Sequence, residues 1–449
     1  MGDARRSRRL EAIAAAAVQE PAASFPSIAG SDGALEGIYR FFSNDAVEPD
    51  ALLAGHYRET VKRIRSADVV VVAHDTSEFT YGAHSRDDLD AVGSGKCYGF
   101  RVHMALAVQA STLRQPLGLI GLLPFEKPVG VRKNRKRKGK PESSQRWSSL
   151  VSQVRERIGD TNNVVHAMDR EADDYSLLAE LCASNERFVV RQNTDRRLDR
   201  WNPEPKVRSL FVGACAIAER TVQVSERRLA ARRQLQTRRS PREGRTAQIS
   251  VSAETVTIPR PSTSKSAREA ELTLNLVHAV ESNAPVGCEP IEWWIWTSEP
   301  IATEEQVLLV LDCYRCRWVI EEYFKALKTG CALERRQLES KHALLNALAI
   351  FCPIAWRLLL LRTLSRADPD SPASAALRPT QIMALRGLYL KRQKKRLPEA
   401  LSAREALRAV AKIGGHITNN GEPGWIVIGR GFDRVLDVEA GILIARGEM

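Results

Sequence analysis

Residues 68–75 read Asp-Val-Val-Val-Val-Ala-His-Asp, an unbroken apolar run of strand length that ends in polar groups. A strand with one wet face alternates apolar and polar side chains, so a run without alternation points to a strand buried on both faces. Such a strand needs a covering layer on each side of its sheet, which favours an α/β architecture. Residues 163–168 (NVVHAM) repeat the pattern and are followed by Asp169. Strands are also expected at 99–110, 116–123 and 187–191 (RFVVR), and helices near 144–158 and 174–182. Three strands, a helix, a strand, a helix and a strand predict an α/β layer with a mixed sheet.

The flanks read differently. Residues 1–65 predict short helices around 14–18, 34–42 and 50–65, with a Pro/Gly/Ser break at 21–33. Residues 195–290 are Arg-rich and then alternate Thr and Val (AQISVSAETVTI, LTLNLVHAV), which predicts a β-rich insertion. A strand follows at 292–297, then helices at 304–329 and 341–366. Beyond Asp368-Pro-Asp-Ser-Pro, residues 374–449 read as helical again. The predicted division is a helical segment 1–65, an α/β core 66–366 holding the insertion, and a helical region 367–449. The most apolar stretch, 343–361, is broken by Asn346, Pro353 and Arg357, so it predicts a buried helix and not a membrane span. Eight cysteines in 449 residues are too sparse for a disulfide framework, and no secretory signal pattern precedes them. A soluble, cytoplasmic protein is expected, with no membrane partner.

The net charge of +13 is unevenly placed. Residues 132–140 (RKNRKRKGK) carry seven basic groups and no acid, residues 220–245 carry nine arginines against two glutamates, and residues 391–396 (KRQKKR) carry five basic groups. Outside these runs the chain is slightly acidic. Cations gathered into patches predict a polyanionic partner, DNA or RNA.

Two acids end the apolar runs: Asp75 after VVVVAH and Asp169 after NVVHAM. Carboxylates fixed by a sheet suit a hard-metal site with several ligands. Each also admits an ordinary capping role, as do Glu171 and Asp173 in the run DREADD. The third element is LDCYRCRWVIEEYFKALKTG. On one uninterrupted helix, Tyr314, Arg317, Glu321 and Lys328 fall within an arc of about 60°. Val319, Ile320, Tyr323, Phe324 and Leu327 occupy the opposite face and are expected in the core. A carboxylate between two cations and a phenol reads either as a salt-bridged surface or as a metal ligand beside phosphate-binding donors. Two aspartates and a glutamate fit a pair of Mg²⁺ ions clamping an in-line phosphoryl transfer.

These residues resemble a known family. HDTSEFTYG, MDREADDY, ERFVVR, EWWIWTSEP and YRCRWVIEEYFKALKTG (Y-x₂-R-x₃-E-x₆-K) are similar to the bacterial insertion-sequence DDE transposases, in particular to the cut-and-paste, hairpin-forming subgroup with a Y-R-E-K signature. The resemblance runs from GDARRSRRL through LEGIYRFF to RAVAKIGGHI, essentially the whole chain. It implies an RNase H-like mixed-sheet core with the β-rich insertion, between helical N- and C-terminal domains. Asp75, Asp169 and Glu321 then form the catalytic, metal-binding triad, holding two Mg²⁺ ions for which Mn²⁺ substitutes. Tyr314, Arg317 and Lys328 hold the DNA backbone near the cleavage site, Trp293 stacks on a flipped base, and Arg6 and Arg9 contact the transposon end. The implied partners are double-stranded DNA, as inverted-repeat ends and target, and a second subunit in a synaptic homodimer.

Other features read more plainly. Cys313 and Cys316 form C-x₂-C on a predicted helix without a second pair at zinc spacing, so buried thiols are expected. His74 and His103 are expected in ordinary polar roles, and Asp87, Asp88 and Asp90 in a solvated loop. The chain starts about a helix later than its relatives. An inhibitor that dimerises with a full-length enzyme without cleaving DNA is therefore the alternative to an active transposase.

Overall fold

The structure is a computed structural model describing residues 3–19, 24–82, 86–126 except 94 and 96, 142–159, 162–226 except 225, 243–264 and 267–446. The basic run 132–140 and most of the run 220–245 lie outside these residues. The chain divides into two compact units. One comprises Met1–Lys133, Ser149–Val164 and Cys316–Met449, and the other Asn134–Ser148 and Val165–Arg315.

In the first unit, helices α1 (Ala4–Gln19), α2 (Phe25–Ala29), α3 (Asp32–Phe42) and α4 (Pro49–Arg65) precede strands β1 (Val70–Thr80), β2 (Asp90–Val92), β3 (Cys97–Gln109) and β4 (Pro116–Phe125). Strand β3 pairs antiparallel with β1, β2 and β4. Val70 to His74 are all buried, as the apolar run predicts, but β1 does not stop at Asp75. Beyond it Ser77 and Phe79 are buried and Thr76, Glu78 and Thr80 half-buried, a period of two that keeps pairing as far as Thr80 opposite Gly99. Asp75 therefore lies in mid-strand, not at the strand end that its position after the apolar run suggested. It sits where the sheet changes from two covered faces to one.

One covering layer is α4 with the latter half of α5 (Glu142–Ile158). Ile64, Leu150, Val154 and Ile158 pack with Val70, Val72, Ala105, Ala107 and Ile120. Helix α9 (Lys341–Ala367) is the long apolar segment. It is long and apolar enough to cross a membrane, but most of it is buried inside the protein, as expected for a core helix. Asn346, fully buried on it, donates to the carbonyls of Phe42 and Val47 at 3.0 and 2.9 Å and so fixes the turn between α3 and α4. The C-terminal helices are α10 (Pro379–Gln393), α11 (Ala403–Ile413) and α12 (Trp425–Ala445). A Cβ on Gly431 would stand 1.8 Å from the carbonyl oxygen of Val410, so the α11–α12 crossing depends on the missing side chain.

His56 of α4 makes the fold sensitive to acid. Its Nε2 accepts the Leu119 N–H at 3.1 Å, and its ring lies edge-on to Trp356. Burial above all, and then Arg63 and Arg357, hold its pKa down to about 3, against 6.5 for a free imidazole. A group with a depressed folded pKa is protonated first in the unfolded chain. Its contribution is therefore present above pH 6.5 and is lost as pH falls toward 3. Within that window the loss approaches ~1.4 kcal/mol per pH unit. Urea unfolding at several pH values should show His56→Gln with a flatter profile than the parent between pH 6 and 4. Parallel profiles would remove His56 as the cause.

The second unit holds β5 (Val164–Met168), α6 (Tyr175–Ala183), β6 (Phe188–Arg191), β7 (Ala218–Val224), β8 (Arg245–Pro259), β9 (Glu271–Glu281), β10 (Glu292–Thr297) and α7 (Glu304–Cys316). Strands β5 and β6 are parallel with α6 between them, and Asp174 caps α6 by accepting the N–H groups of Ser176 and Leu177. Strand β10 pairs with β6 on one side and β9 on the other, and β8 and β7 extend the same antiparallel sheet. The insertion is thus rich in strands, as the Thr/Val alternation predicts, and its strands continue the sheet.

Candidate active site

In the first unit the structure brings together Asp75, Arg317 and Glu321. Arg317 donates from Nη1 to Asp75 Oδ2 and from Nη2 to Glu321 Oε1, both at 3.1 Å. The other oxygen of Asp75 accepts the Thr76 N–H at 2.7 Å. The side chain of Arg317 is only 10% exposed, so water screens these attractions weakly, and removing one partner would leave a charge poorly compensated. Beneath, His74 and His103 stack with centroids 5.8 Å apart, and His103 Nδ1 is 3.0 Å from Thr76 Oγ1. Two carboxylates from elements far apart in sequence thus face one cation. Arg317 neutralises the two carboxylates here, and among the described residues no group of three or more His, Cys, Asp or Glu side chains is gathered to hold a metal ion.

Lys328 belongs to the same unit. Its Nζ donates to the carbonyl of Glu78, stands 3.8 Å from the Glu334 carboxylate and lies 5.2 Å from the Phe79 ring centroid. Tyr314, by contrast, belongs to the second unit. The single helical face that united the four signature residues is interrupted. Helix α7 ends at Cys316 and α8 (Val319–Lys325) begins after Arg317 and Trp318. At the break, the N–H groups of Ile320 and Glu321 bond three residues back, to the carbonyls of Arg317 and Trp318. Residues Ala326–Gly330 then form a π turn, with Cys331 N–H bonded to Ala326 O at 2.8 Å. Both irregularities change the rotation per residue, so a uniform helical wheel does not hold across 314–328. The Arg317–Glu321 pair survives because four residues still span one turn. Ile320, Tyr323, Phe324 and Leu327 are buried as expected, whereas Val319 is only half-buried.

In the second unit Asp169 follows β5 and caps the short turn Arg170–Ala172, accepting the Glu171 N–H at 2.9 Å. The other acids of DREADD have structural partners. Glu171 pairs with Arg146 at 2.5 Å, and Asp173, fully buried, binds Arg196 and the N–H groups of Asn193 and Thr194. Trp293 lies half-buried on β10 with its ring 5.3 Å from Tyr314, edge to face. The Arg191 guanidinium stands 5.7 Å from the Trp293 ring and 5.8 Å from that of Tyr314. Trp294 and Trp296 are both core residues, Trp294 stacked on His278 at 3.7 Å. Trp293 also lines a cavity of about 210 Å³ with Val222, Ile249, Leu311, Arg220 and Arg315. Sequence reasoning missed Arg191. Its one signal was a cation closing an otherwise apolar strand.

At the N-terminus, Arg6 reaches the Ala46 carbonyl at 3.5 Å, and Arg9 lies across Gly37 of α3, where a Cβ would stand 2.7 Å from its Nη1. Asp88 binds Arg86 at 3.0 Å, and Asp90 lies 4.0 Å from both Arg101 and Lys341, so these acids serve local ion pairs. Cys313 and Cys316 are buried thiols.

Comparison with known families gives the class of protein that this mixed α/β fold belongs to. Residues 1–47 match the model described as transposase DNA-binding, and residues 89–354 match the transposase DDE domain. The second match covers more than half of the chain. The chain belongs to the DDE transposase family of insertion sequences, and its fold is consistent with an RNase H-like DDE core. It is a DNA transposase with a DNA-binding N-terminal segment. Asp169, Trp293, Tyr314, Arg317, Glu321 and Lys328 fall inside the DDE match, and Asp75 lies ahead of it.

Proposed function

We propose that the protein moves an insertion sequence by cut-and-paste transposition: nicking at the element's end, hairpin formation by the released 3′-OH, hairpin opening, and strand transfer into target DNA. The observation that carries this reading is the shared guanidinium of Arg317, on which Asp75 and Glu321 converge at 3.1 Å each. Asp169 is assigned as the third carboxylate. Divalent ions held by these groups would supply an activated nucleophile and stabilise the leaving oxygen. Asp75 and Glu321 contribute the negative charge that holds them. Arg317, with a planar fork suited to carboxylate and phosphate alike, keeps the two carboxylates oriented and is assigned to the DNA backbone with Tyr314 and Lys328. Trp293 is assigned to the flipped base, and Arg6 and Arg9 to the transposon end.

The domain reading is 1–65 for end recognition, 66–366 for catalysis and 367–449 for pairing of two subunits in the synaptic complex. The assay is a labelled duplex carrying the element's own inverted repeat, incubated with the purified chain in Mg²⁺, in Mn²⁺ and with chelator. Nicked, hairpin and opened products are expected in sequence with either metal and none with chelator. Binding without cleavage, together with slower cleavage by an active relative, would overturn the enzyme reading in favour of the inhibitor.

A further inference from the structure

The C-terminal helical region lies beyond both family matches, and it contains a cavity of about 400 Å³ at the ends of α10 and α11. Lys395 and Arg396 from the loop after α10, Arg408 and Lys412 from α11, His416 beyond it and Tyr389 of α10 line the cavity. From Arg386 to Lys412 the chain carries nine basic side chains against two acidic ones. Glu405 is the acid on the cavity wall. Its carboxylate is held by the helix start, accepting the N–H and the hydroxyl of Ser402 at 3.0 Å each. Arg408 faces Glu422 at 3.7 Å, but both side chains are more than half exposed, a pairing worth little in water. Lys395, Arg396 and Lys412 have no partner among the described residues. The loop after α10 and helix α11 thus bring four cationic side chains to one hollow lined by a single carboxylate, that of Glu405.

We propose that this hollow seats the sugar–phosphate backbone of duplex DNA, as a contact independent of base sequence and separate from the cleavage centre. The partner class follows from geometry and charge. A single small anion would use the hollow alone, whereas a polyanion also engages Lys391 and Lys394, which continue the run outside the lining. Neutralised phosphates release counterions, so such a contact reads out as salt dependence. The proposal rests on the reading of the chain as a DNA transposase.

The test compares the parent with Lys395→Gln/Arg396→Gln/Lys412→Gln and with the charge-retaining Lys395→Arg/Lys412→Arg. Fluorescence anisotropy on a random-sequence duplex is followed across salt concentrations. The neutralised protein should show a log–log salt slope shallower by about 2–3 and affinity at least ~10-fold weaker at low salt. It should keep the parent's melting temperature, and its cleavage rate at saturating protein. The arginine variant should behave like the parent. Equal slopes with affinities within about twofold would overturn the proposal, and so would unchanged DNA binding with lost binding of poly-glutamate, which would assign the hollow to an acidic protein. A parent that cleaves DNA while the slopes stay equal sinks this proposal alone. A parent that binds no duplex sinks the proposed function with it.

Discussion

Asp75→Ala, Asp169→Ala and Glu321→Ala are each expected to abolish Mg²⁺-dependent cleavage of a transposon end, by ~10³-fold or more. That factor corresponds to roughly 4 kcal/mol, the order of the charge stabilisation a metal site gives a phosphoryl transfer. The three variants should differ in stability, because their carboxylates have different neighbours. Removing Asp75 or Glu321 leaves Arg317 with one anion instead of two. Removing Asp169 takes away the cap of Arg170–Ala172 and should cost about 1 kcal/mol. DNA binding should persist in all three, since the basic side chains are untouched. Quenched-flow or gel assays at saturating protein, beside melting curves, give the comparison. One variant cleaving at close to the parental rate would remove that residue from the site.

Much of the fold is legible in the sequence alone, and the failures share one physical origin. Patterns set by neighbours along the chain survive. The buried strand at Val70–His74 and the buried helix Lys341–Ala367 follow from local periodicity and polarity. Features decided by interactions across the fold do not. Asp75 sits in mid-strand because β3 offers partners as far as Gly99, which no window around Asp75 records. The wheel that put Tyr314, Arg317, Glu321 and Lys328 on one face assumed equal rotation per residue. The break at Arg317 and Trp318 and the π turn at Ala326–Gly330 violate that assumption. Alternating Thr and Val in 245–281 announce strands without saying which strand they join, and only the Trp294–His278 register answers that. Arg191 escaped notice because its role depends on two aromatics more than 100 residues away in the chain.

The aromatic residues of the second unit yield the second large expected effect. Trp293→Ala should spare the first nick, which needs metal ions and an accessible phosphodiester, and slow hairpin formation about 5- to 150-fold. That range is the rate equivalent of losing a stacking surface worth roughly 1–3 kcal/mol. The surroundings favour this outcome over simple unfolding. Trp293 is half-buried and borders a cavity, whereas the fully buried Trp296 of the same strand is the one the core needs. Trp296→Ala, by comparison, should lose roughly 3–5 kcal/mol of stability and slow every step alike. Trp293→Phe, which keeps an aromatic face beside Arg191 and Tyr314, should recover part of the hairpin rate. A DNA end lacking the extruded base should be nearly indifferent to the substitution, because no ring remains to be stacked. Step-resolved gels on nicked and intact ends separate the two effects, with melting curves for both tryptophan variants. If Trp293→Ala lowers the melting temperature as far as Trp296→Ala and slows nicking and hairpin formation equally, the indole is a packing residue and the flipped base must be held elsewhere.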